Sequence, residues 1–359
     1  MSKNNFAIIM AGGIGSRFWP TSTPDFPKQF HDMTGTGQSL LQQTFHRLEN
    51  TIPPEQIFIV THASYQAIIL DQLEGKISSD QIICEPEQRN TAPCILLASL
   101  KIKKINSKAR IVVTPSDHLI LDEELFTEDI NLALKATDEK NLITFGIQPD
   151  HPATGFGYIA VDKVSDARFL PVLEFTEKPD IVTAKKLIAA ENYFWNSGIF
   201  VWSVQAVLSG FKSHAPNLYA LFNQGFDQLN TADEGSFIAK NYSLAEKISI
   251  DYAVMEKSKN ILLSPARFDW NDLGSWKSIY DFHRKDKDGN AVIHTDLYHE
   301  NASRNLVKTN PNKKVVIAGL DNFIIVDTQD FLMICPMDKN QEVKEISSKA
   351  NKKFNRGKT

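Results

Sequence analysis

The stretch of sequence that decides the fold runs over residues 6–30 and reads FAIIMAGGIGSRFWPTSTPDFPKQF. The apolar run at its start predicts a buried strand, which stops where Gly12 and Gly13 begin a glycine-rich turn. Glycine has no Cβ and tolerates positive φ, so such a turn lets the backbone approach a phosphate group closely. Arg17 and Lys28 add two cations within the same loop. We therefore expect a site for a polyphosphate that undergoes reaction.

The glycine pattern matches neither of two common phosphate-binding motifs. Phe18 stands where a dinucleotide-binding fingerprint needs its last glycine, and the Gly-Lys-Ser/Thr end of a P-loop is missing. A tight strand-to-helix turn with two solvated cations is therefore the structural alternative. The three prolines between residues 20 and 27 favour the functional interpretation, because they stiffen the loop and hold Lys28 at a fixed place opposite Arg17.

Composition and charge describe an ordinary globular chain. The sequence has 359 residues, which is enough for two domains, with 42% hydrophobic and 23% charged residues. A net charge of −4 gives no basic field for nucleic acid but leaves a small nucleotide substrate open. The three cysteines are scattered, no apolar run approaches the roughly 18 residues of a membrane span, and no signal-peptide pattern opens the chain. We expect a cytoplasmic protein that binds no membrane.

Short β-branched runs alternate with longer helical patterns through the first two-thirds of the chain. This alternation predicts βαβ units and a Rossmann-like α/β domain, with a mixed, mainly parallel sheet and helices on both faces. Ligands bind at the carboxyl ends of the strands in such sheets, so the motifs at those ends can share one crevice. The predicted strands cover residues 6–10, 57–61, 82–84, 110–115, 142–147, 158–161, 172–178 and 198–203, and the predicted helices cover residues 39–50, 64–75, 94–105 and 125–139.

The pattern changes after about residue 285. Residues 286–292 are a turn-rich connection, and short β-like pieces follow at 313–319, 322–328 and 331–336. We predict a domain over residues 1–285 and a small β-rich C-terminal domain over residues 286–359, shaped as a β-roll or a short β-helix. The end of the chain predicts a helix that runs into a basic tail.

Two carboxylates follow predicted strands or turns and are candidate metal ligands. Asp117 ends a strand at TPSDH, where it serves either as a helix N-cap or as a ligand, and Asp272 lies in the aromatic-flanked turn FDWNDLGSW. Two carboxylates, together with triphosphate oxygens and water, suit octahedral Mg²⁺. Asp269 is the competing ligand or a structural residue. His118 is more typical of a hydrogen-bonded structural histidine than of a base.

The run EPEQRNTAP at residues 85–93 is dense in hydrogen-bonding groups just before a predicted helix. Asn90 or Thr91 can cap that helix, and the functional alternative is recognition of a nucleobase. The sequence leaves both interpretations open.

A third group of polar residues suits a sugar phosphate. Glu177 and Asn196 offer carboxylate and amide partners for sugar hydroxyls, and Gly157 allows close backbone approach. An exposed salt bridge between Glu177 and Lys178 is the structural alternative. Asp251 either caps the helix that follows it or contacts the ligand.

Together these motifs resemble the sugar-nucleotidyltransferase family and, within it, the mannose-1-phosphate guanylyltransferases (GDP-mannose pyrophosphorylases). The similarity covers roughly residues 5–283. The run RNTAP and the run SIDYAVMEK favour the mannose and guanine branch. The motifs that carry the resemblance are AGGIGSRFWP, PKQF, EPEQRNTAPC, TPSDHLI, GFGYI, FTEKPD, WNSGIFVW, ISIDYAVMEKS and FDWNDLGSW.

The resemblance implies a nucleotidyltransferase fold of the GT-A-like type and an Mg²⁺-dependent reaction. GTP and α-D-mannose 1-phosphate would give GDP-mannose and pyrophosphate by in-line attack on the α-phosphorus. The residues implied are Arg17 and Lys28 as catalytic, Ala11, Gly12, Gly13, Gly15, Ser16, Arg89 and Asn90 as nucleotide-binding, Gly157, Glu177, Lys178 and Asn196 as sugar-phosphate-binding, and Asp117 and Asp272 as metal ligands.

Two alternatives remain open beside this function. One is the same chemistry on another hexose 1-phosphate or nucleotide, and the other is a non-catalytic subunit that senses a nucleotide sugar. A homodimer is possible, with the β-rich segment as its surface. No cupin-like isomerase domain follows the transferase motifs, so a second, isomerase activity is not expected.

Overall fold

The apolar run that opens the chain forms the strand β1 (Asn5–Ala11). In the computed structural model, which describes residues 2–162 and 167–354, β1 is buried along almost its whole length. It pairs in parallel with β2 (Ile57–His62) on one side and with β4 (Arg110–Pro115) on the other. A strand with two parallel neighbours is buried on both faces and reads as a continuous apolar run. The predicted strand at the glycine-rich turn is therefore confirmed.

The strand β1 belongs to a mixed sheet, which confirms the predicted fold class. Among the described residues nine strands form this sheet, in the order β3-β2-β1-β4-β8-β5-β9-β7-β6. Antiparallel pairing reverses β7 and β8 against the other strands. The remaining members are β3 (Ile82–Glu85), β5 (Leu142–Ile147), β6 (Tyr158–Val161), β7 (Leu170–Thr176), β8 (Tyr193–Ser203) and β9 (Ile261–Pro265).

One predicted strand boundary is wrong. The strand that starts in the run WNSGI was predicted over residues 198–203, but β8 begins at Tyr193 and also contains Asn196. Asparagine is a poor strand former. Here β8 pairs with β4, β5 and β6 at once, so tertiary pairing overrides local propensity.

The helices of the described residues alternate with the strands, as predicted for the first half of the chain. None of them is both long enough and apolar enough to cross a lipid bilayer. They are α1 (Leu40–Glu49), α2 (Gln66–Gln72), α3 (Thr91–Ile105), α4 (Glu123–Ala136), α5 (Ile181–Ala189), α6 (Val204–His214), α7 (Pro216–Asn223), α8 (Glu234–Asn241), α9 (Trp276–Phe282) and α10 (Val343–Phe354).

The chain divides into two compact units, each assembled from separate stretches. The sheet unit contains the described parts of Met1–Gly12, Thr44–Ser116 and Ile120–Trp270. The coil unit contains Gly13–Gln43, Asp117–Leu119 and the described part of Asn271–Thr359. The predicted domain boundary after residue 285 stays a prediction.

The coil unit carries a four-stranded sheet among its described residues, in the order β10-β11-β12-β13. Its first three strands pair in parallel and the last is antiparallel, which fits the predicted β-rich C-terminal segment. The helix α10 confirms the predicted C-terminal helix, whereas the predicted basic tail falls on residues 355–359, outside the described residues. The strands are β10 (Ala291–Glu300), β11 (Leu306–Ala318), β12 (Phe323–Asp327) and β13 (Leu332–Pro336).

The larger of two apolar clusters among the described residues of the coil unit joins distant parts of the chain. It joins residues of the glycine-rich loop and of the FDWNDLGSW turn to residues of the C-terminal strands. The indole N–H of Trp276 donates to the carbonyl of Trp19 at 3.1 Å, and its ring meets Phe18 edge-on at 5.2 Å between centroids. The core includes Phe18, Trp19, Leu119, Leu273, Trp276, Ile293, Leu306, Ile324, Val326 and Val343.

Candidate active site

The glycine-rich loop packs directly on the lysine that ends the opening stretch. Gly15 has a φ of 68°, and a Cβ added there would lie 2.4 Å from the Cβ of Lys28. Only glycine therefore fits this position without displacing the backbone. The carbonyl of Gly15 accepts from the N–H of Phe18 at 2.9 Å, which closes a 3₁₀ turn over Ser16–Phe18.

Lys28 is buried, with 2% of its surface exposed. Its ammonium donates to the carbonyl and to the Oδ2 of Asp117, both at 3.1 Å, and to the carbonyl of Asp272 at 2.9 Å. The nitrogen also lies 5.1 Å from the centre of the Phe18 ring. A lysine has three N–H donors, so the three oxygens satisfy it completely. Lys28 thus ties together the two segments that carry the predicted metal ligands.

The backbone brings those two segments together as well. Leu119 and Asn271 form an antiparallel bridge, with N–O distances of 2.8 Å and 3.0 Å in the two directions. The turn after it is held by the side chain of Asn271, which accepts from the N–H of Leu273 at 2.7 Å. Asp117 and Asp272 therefore lie two residues and one residue from the bridge, 155 positions apart along the chain.

The surroundings of Asp117 stabilise the ionised form of its carboxyl group. Burial opposes its negative charge, but the ammonium of Lys28, with a further electrostatic contribution from His118, outweighs burial and lowers the pKa of Asp117. About a third of its side chain, 34%, stays exposed. An ionised carboxylate with an open side is available to a cation.

These side chains line a cavity of about 250 Å³ within the coil unit. Its walls include Ser16, Arg17, Lys28, Asp117 and Asp272. Within the described ranges Arg17 has neither a hydrogen bond nor an ion pair. An unpaired guanidinium at a cavity wall is suited to bind phosphate oxygens.

The donor set fits a hard divalent cation. Asp117 and Asp272 offer carboxylate oxygens to one cavity, and its volume leaves space for water and phosphate ligands. Gly274 contributes to the fit, because a Cβ there would lie 2.5 Å from Oδ2 of Asp272. Its N–H donates to the other oxygen, Oδ1, at 3.1 Å, which fixes the orientation of the carboxylate.

Asp269, the competing ligand in the sequence, is a structural residue. Its carboxylate accepts from the N–H of Leu121 at 2.9 Å and 3.1 Å and from the N–H of Asp122 at 2.7 Å. These bonds hold the residues just before α4. They therefore also fix the position of the turn between β4 and α4.

The run before α3 shows mainly its structural role. Asn90 is the N-cap of α3, and its side chain accepts from the N–H of Thr91 at 2.9 Å. Arg89 forms an ion pair with Glu87 at 3.0 Å. The capping alternative is therefore confirmed for Asn90, and contact of either residue with a nucleotide stays a prediction.

Glu85 is a candidate functional residue that the sequence placed in the run at residues 85–93 but did not single out. It ends β3, has 5% of its surface exposed, and accepts a hydrogen bond at Oε1 from the hydroxyl of Tyr242. Its other oxygen, Oε2, has no hydrogen bond among the described residues, and it lies 3.4 Å from where a Cβ of Gly12 would stand. Burial raises the pKa of Glu85 to about 7, against a smaller opposing effect of the Tyr242 bond. Its place at a strand end was visible in the sequence, but its burial was not.

The nucleotide-loop residues on the sheet unit are held by side chains of neighbouring strands and loops. The carbonyl of Ala11 accepts from Thr61 at 2.9 Å, and that of Gly12 accepts from the amide of Gln88 at 2.7 Å. These two hydrogen bonds restrict the backbone of Ala11 and Gly12.

The predicted sugar-phosphate residues come together within the sheet unit. The N–H of Asn196 donates to the carbonyl of Gly157 at 2.8 Å, and a Cβ on Gly157 would lie 2.5 Å from Oε2 of Glu177. Glu177 forms an ion pair with Lys178 and has a side chain that is 7% exposed. The salt bridge is therefore half buried and not the exposed pair of the structural alternative.

Asp251 joins this cluster through its side chain. The amide of Asn196 donates to Oδ1 of Asp251 at 2.9 Å, and the N-cap of the following turn is Ile250. The capping interpretation of Asp251 is therefore wrong, because the carboxylate turns to Asn196. Burial, with the negative charge of Glu177, raises the pKa of Asp251 to about 6.

Two sets of predicted residues are thus assembled, each inside one unit. The cavity of the coil unit gathers Gly15, Ser16, Arg17, Lys28, Asp117 and Asp272, whereas Gly13 belongs to the same unit but does not line the cavity. The sheet unit gathers Gly157, Glu177, Lys178 and Asn196.

Comparison with known proteins agrees with this chemistry. A family described as nucleotidyl transferase matches residues 6–289, and one described as MannoseP isomerase/GMP-like beta-helix domain matches residues 301–349. The chain therefore belongs to the nucleotidyl transferase family, and it is an enzyme of that kind. Members of the family generally use a divalent metal.

Relatives with assigned names are similar along most of the chain. Mannose-1-phosphate guanylyltransferase of Salmonella muenchen is 35% identical over 344 residues, 94% of this chain and 72% of the relative. Alginate biosynthesis protein AlgA of Pseudomonas aeruginosa is 35% identical over 348 residues, 94% of this chain and 70% of the relative. A crystal structure described as mannose-1-phosphate geranyltransferase from Thermus thermophilus has a TM-score of 0.86 at 27% identity, covering 97% of this chain and 99% of that one. The predicted resemblance is confirmed.

Proposed function

We propose that this chain forms GDP-mannose and pyrophosphate from GTP and α-D-mannose 1-phosphate. The observation that carries the proposal is the cavity where Lys28 joins Asp117 and Asp272, with an unpaired Arg17 at its wall. Guanylyltransferase relatives at 35% identity supply the choice of substrates.

The reaction is a single displacement at phosphorus. An oxygen of the sugar phosphate forms a bond to the α-phosphorus of GTP, and the bond from that phosphorus to the α,β-bridging oxygen breaks. The bridging oxygen keeps the electron pair and leaves as part of pyrophosphate. The attacking oxygen is already anionic, so the reaction needs no general base. Repulsion between two anionic substrates is the main barrier that the protein has to lower.

The cations of the loop are suited to lower that barrier. Arg17 would hold the β- and γ-phosphates, which leave together, through its planar fork of N–H donors. Lys28 would neutralise charge on the α-phosphate and the sugar phosphate, exchanging one of its present oxygen partners for a phosphate oxygen. Ser16 and the glycines at 13 and 15 would provide backbone N–H groups for the triphosphate.

Asp117 and Asp272 would hold Mg²⁺. The ion would supply positive charge for the phosphate oxygens and fix their orientation. The two carboxylates contribute the oxygen ligands, and Gly274 keeps the space beside Asp272 free.

Glu85 would select guanine as the base of the nucleotide. Guanine presents the donors N1–H and N2–H on one edge, and a carboxylate accepts from both, whereas adenine presents the acceptor N1 there. Oε2 of Glu85 has no partner among the described residues, and Tyr242 fixes the group through Oε1. Glu85→Gln should therefore lower the ratio of kcat/KM for GTP over ATP at least about tenfold. Glu87→Gln is the matched control, because the side chain of Glu87 is 42% exposed and pairs only with Arg89 among the described residues.

Glu177, Lys178, Asn196 and Gly157 would bind mannose 1-phosphate. Lys178 would meet the phosphate, because its side chain is 59% exposed while it pairs with the buried Glu177. Glu177 and Asn196 would accept from and donate to the sugar hydroxyls.

A substrate panel tests the proposal. The purified protein is incubated with Mg²⁺, mannose 1-phosphate and each of the four nucleoside triphosphates, and released pyrophosphate is measured. We expect release with GTP well above the other three. Equal turnover with glucose 1-phosphate and another nucleotide would assign the same chemistry to a different pair. GTP binding without turnover would assign a non-catalytic sensing role. A homodimer and a cytoplasmic location stay predictions.

A further inference from the structure

Arg47 is a buried cation for which the proposed chemistry has no use. It lies on α1, with 2% of its surface exposed, and its guanidinium lies 5.3 Å from the centre of the Phe126 ring. Burial lowers the pKa of Arg47 to about 10. An arginine buried this deeply needs specific acceptors, because an unpaired buried charge is strongly destabilising.

The acceptors of Arg47 bracket the turn that carries Asp117. One terminal nitrogen, Nη1, donates to the carbonyl of Ile120 at 3.1 Å, and the other, Nη2, donates to the hydroxyl of Thr44 at 3.2 Å. The Thr44 hydroxyl in turn donates to the carbonyl of Ser116 at 3.3 Å. Ser116 and Ile120 are the residues on either side of the tripeptide 117–119.

The four residues of this network are all buried. Thr44 has no exposed surface, and Ser116 and Ile120 are 2% and 3% exposed. The N–H of Ser116 is itself held by the carbonyl of Met10, at 3.0 Å. Water has no access to replace these hydrogen bonds, so loss of one donor leaves a buried carbonyl without a partner. The network fixes both ends of the tripeptide and therefore restricts the backbone of Asp117.

We infer that Arg47 and Thr44 are positioning residues for the metal carboxylate of Asp117. Neither residue is assigned a contact with substrate. They act by holding the turn between β4 and α4 so that Asp117 meets its cation at a fixed place. The inference rests on the proposed function, because it takes Asp117 as a metal ligand.

Thr44 offers the sharper test, because Thr44→Val removes the hydroxyl at almost constant volume and Thr44→Ser keeps it. Hydrogen exchange of the peptide that covers residues 115–121 is followed without added metal or nucleotide. We expect exchange about fivefold to tenfold faster in Thr44→Val and near normal in Thr44→Ser. Ser99→Ala is the control, because the Ser99 hydroxyl is buried without any hydrogen bond among the described residues.

Steady-state kinetics are the second test. Thr44→Val should lower kcat about fivefold to tenfold and raise the Mg²⁺ concentration for half-maximal turnover, with KM for mannose 1-phosphate unchanged and Thr44→Ser restoring both. Arg47→Lys keeps the positive charge but loses the planar guanidinium with its two terminal nitrogens. It should show the same faster exchange in residues 115–121.

The inference would be overturned by unchanged exchange in residues 115–121, or by a kcat loss in Thr44→Val that Thr44→Ser does not restore. A general loss of melting temperature with uniform faster exchange would also overturn it, because that result describes a merely structural role. Absence of turnover in the unaltered protein would instead refute the proposed function, while the exchange arm would still decide whether Thr44 orders the turn.

Discussion

The ammonium nitrogen of Lys28 is the atom that connects the two carboxylate-bearing segments of the coil unit. It meets three oxygens from two distant segments, and one of them belongs to the ionised carboxylate of Asp117. Removing the side chain would leave that carboxylate without its nearest positive charge and would free the Asp272 turn. Lys28 is therefore expected to serve both the order of the site and the neutralisation of phosphate charge.

We expect Lys28→Ala and Asp117→Ala each to lower kcat/KM at least about 100-fold, which corresponds to about 2.7 kcal/mol of transition-state stabilisation. The reason is loss of positive charge at the phosphates in the first variant and of a metal ligand in the second. Steady-state pyrophosphate release measures the effect. Lys76→Ala, which removes a lysine paired with Glu49 on the surface, should leave kcat/KM unchanged. Near-normal turnover in a folded Lys28→Ala protein would contradict its assigned role.

Glu85 should give the free energy of unfolding a recognisable dependence on pH. Its folded pKa of about 7 exceeds the ordinary value of 4.5, so the folded protein holds a proton that the unfolded chain has already released. Stability from this group is present below pH 4.5 and is lost as the pH rises to about 7. The loss is on the order of 3 kcal/mol.

Urea unfolding at several pH values between about 4.5 and about 7.5 measures this slope. Glu85→Gln should flatten it, since an amide does not titrate, and Glu87→Gln should keep it. Parallel profiles for the unaltered protein and Glu85→Gln would show that the carboxyl group titrates normally.

At the scale of elements, variants at the start of α3 can distinguish a structural role of Asn90 from a role in binding. Asn90 caps the helix with its side-chain oxygen at a φ of 66°. Asn90→Asp keeps that oxygen and loses the amide donors. Asn90→Gly loses the cap, but glycine readily adopts the positive φ of this position.

If the amide of Asn90 binds nucleotide, Asn90→Asp should raise KM for GTP at near-normal stability. Asn90→Gly should lose a few tenths of a kcal/mol by loss of the cap. Thermal unfolding and GTP saturation curves measure the two effects. An unchanged KM in both variants would leave Asn90 with its capping role alone.

The strands and the glycine-rich turn could be predicted from sequence because their causes are local. A β-branched run predicts β1, and Gly15 has to be glycine beside Lys28. The start of β8 could not be predicted, since its pairing with three other strands decides it. The role of Glu85 was equally hidden, because its environment depends on Tyr242, 157 positions away in the chain.

At the scale of the whole molecule, the two carboxylates that we propose as metal ligands share a unit with the C-terminal strands. The same apolar core contains Phe18, Trp276 and Ile324. The sequence pattern could show the β-rich end of the chain but not that its side chains share a core with Phe18 of the glycine-rich loop. That arrangement depends on contacts between residues that are far apart along the chain.

Ile324→Ala should therefore lower activity although Ile324 lies beyond the part of the chain that matches the transferase family. Removing a fully buried isoleucine costs about 2–5 kcal/mol. Enzyme activity and circular dichroism, followed together during heating, should fall in one transition at a lower temperature than in the unaltered protein. Ile334→Ala on β13, where the side chain is 53% exposed, should change neither. Full activity after loss of the Ile324 side chain would show that the site does not depend on this core.

The bond from Lys28 to the carbonyl of Asp272 also has a consequence for synthesis of the protein on the ribosome. The two partners are 244 positions apart, so the lysine is made long before its acceptor exists. At ~5–20 residues per second the interval is on the order of 10–50 s. During that time the loop has its glycines and its cations but not the turn that orders them. A nascent chain halted before residue 272 should thus bind neither metal nor triphosphate at this cavity, and the catalytic centre is completed only late in translation.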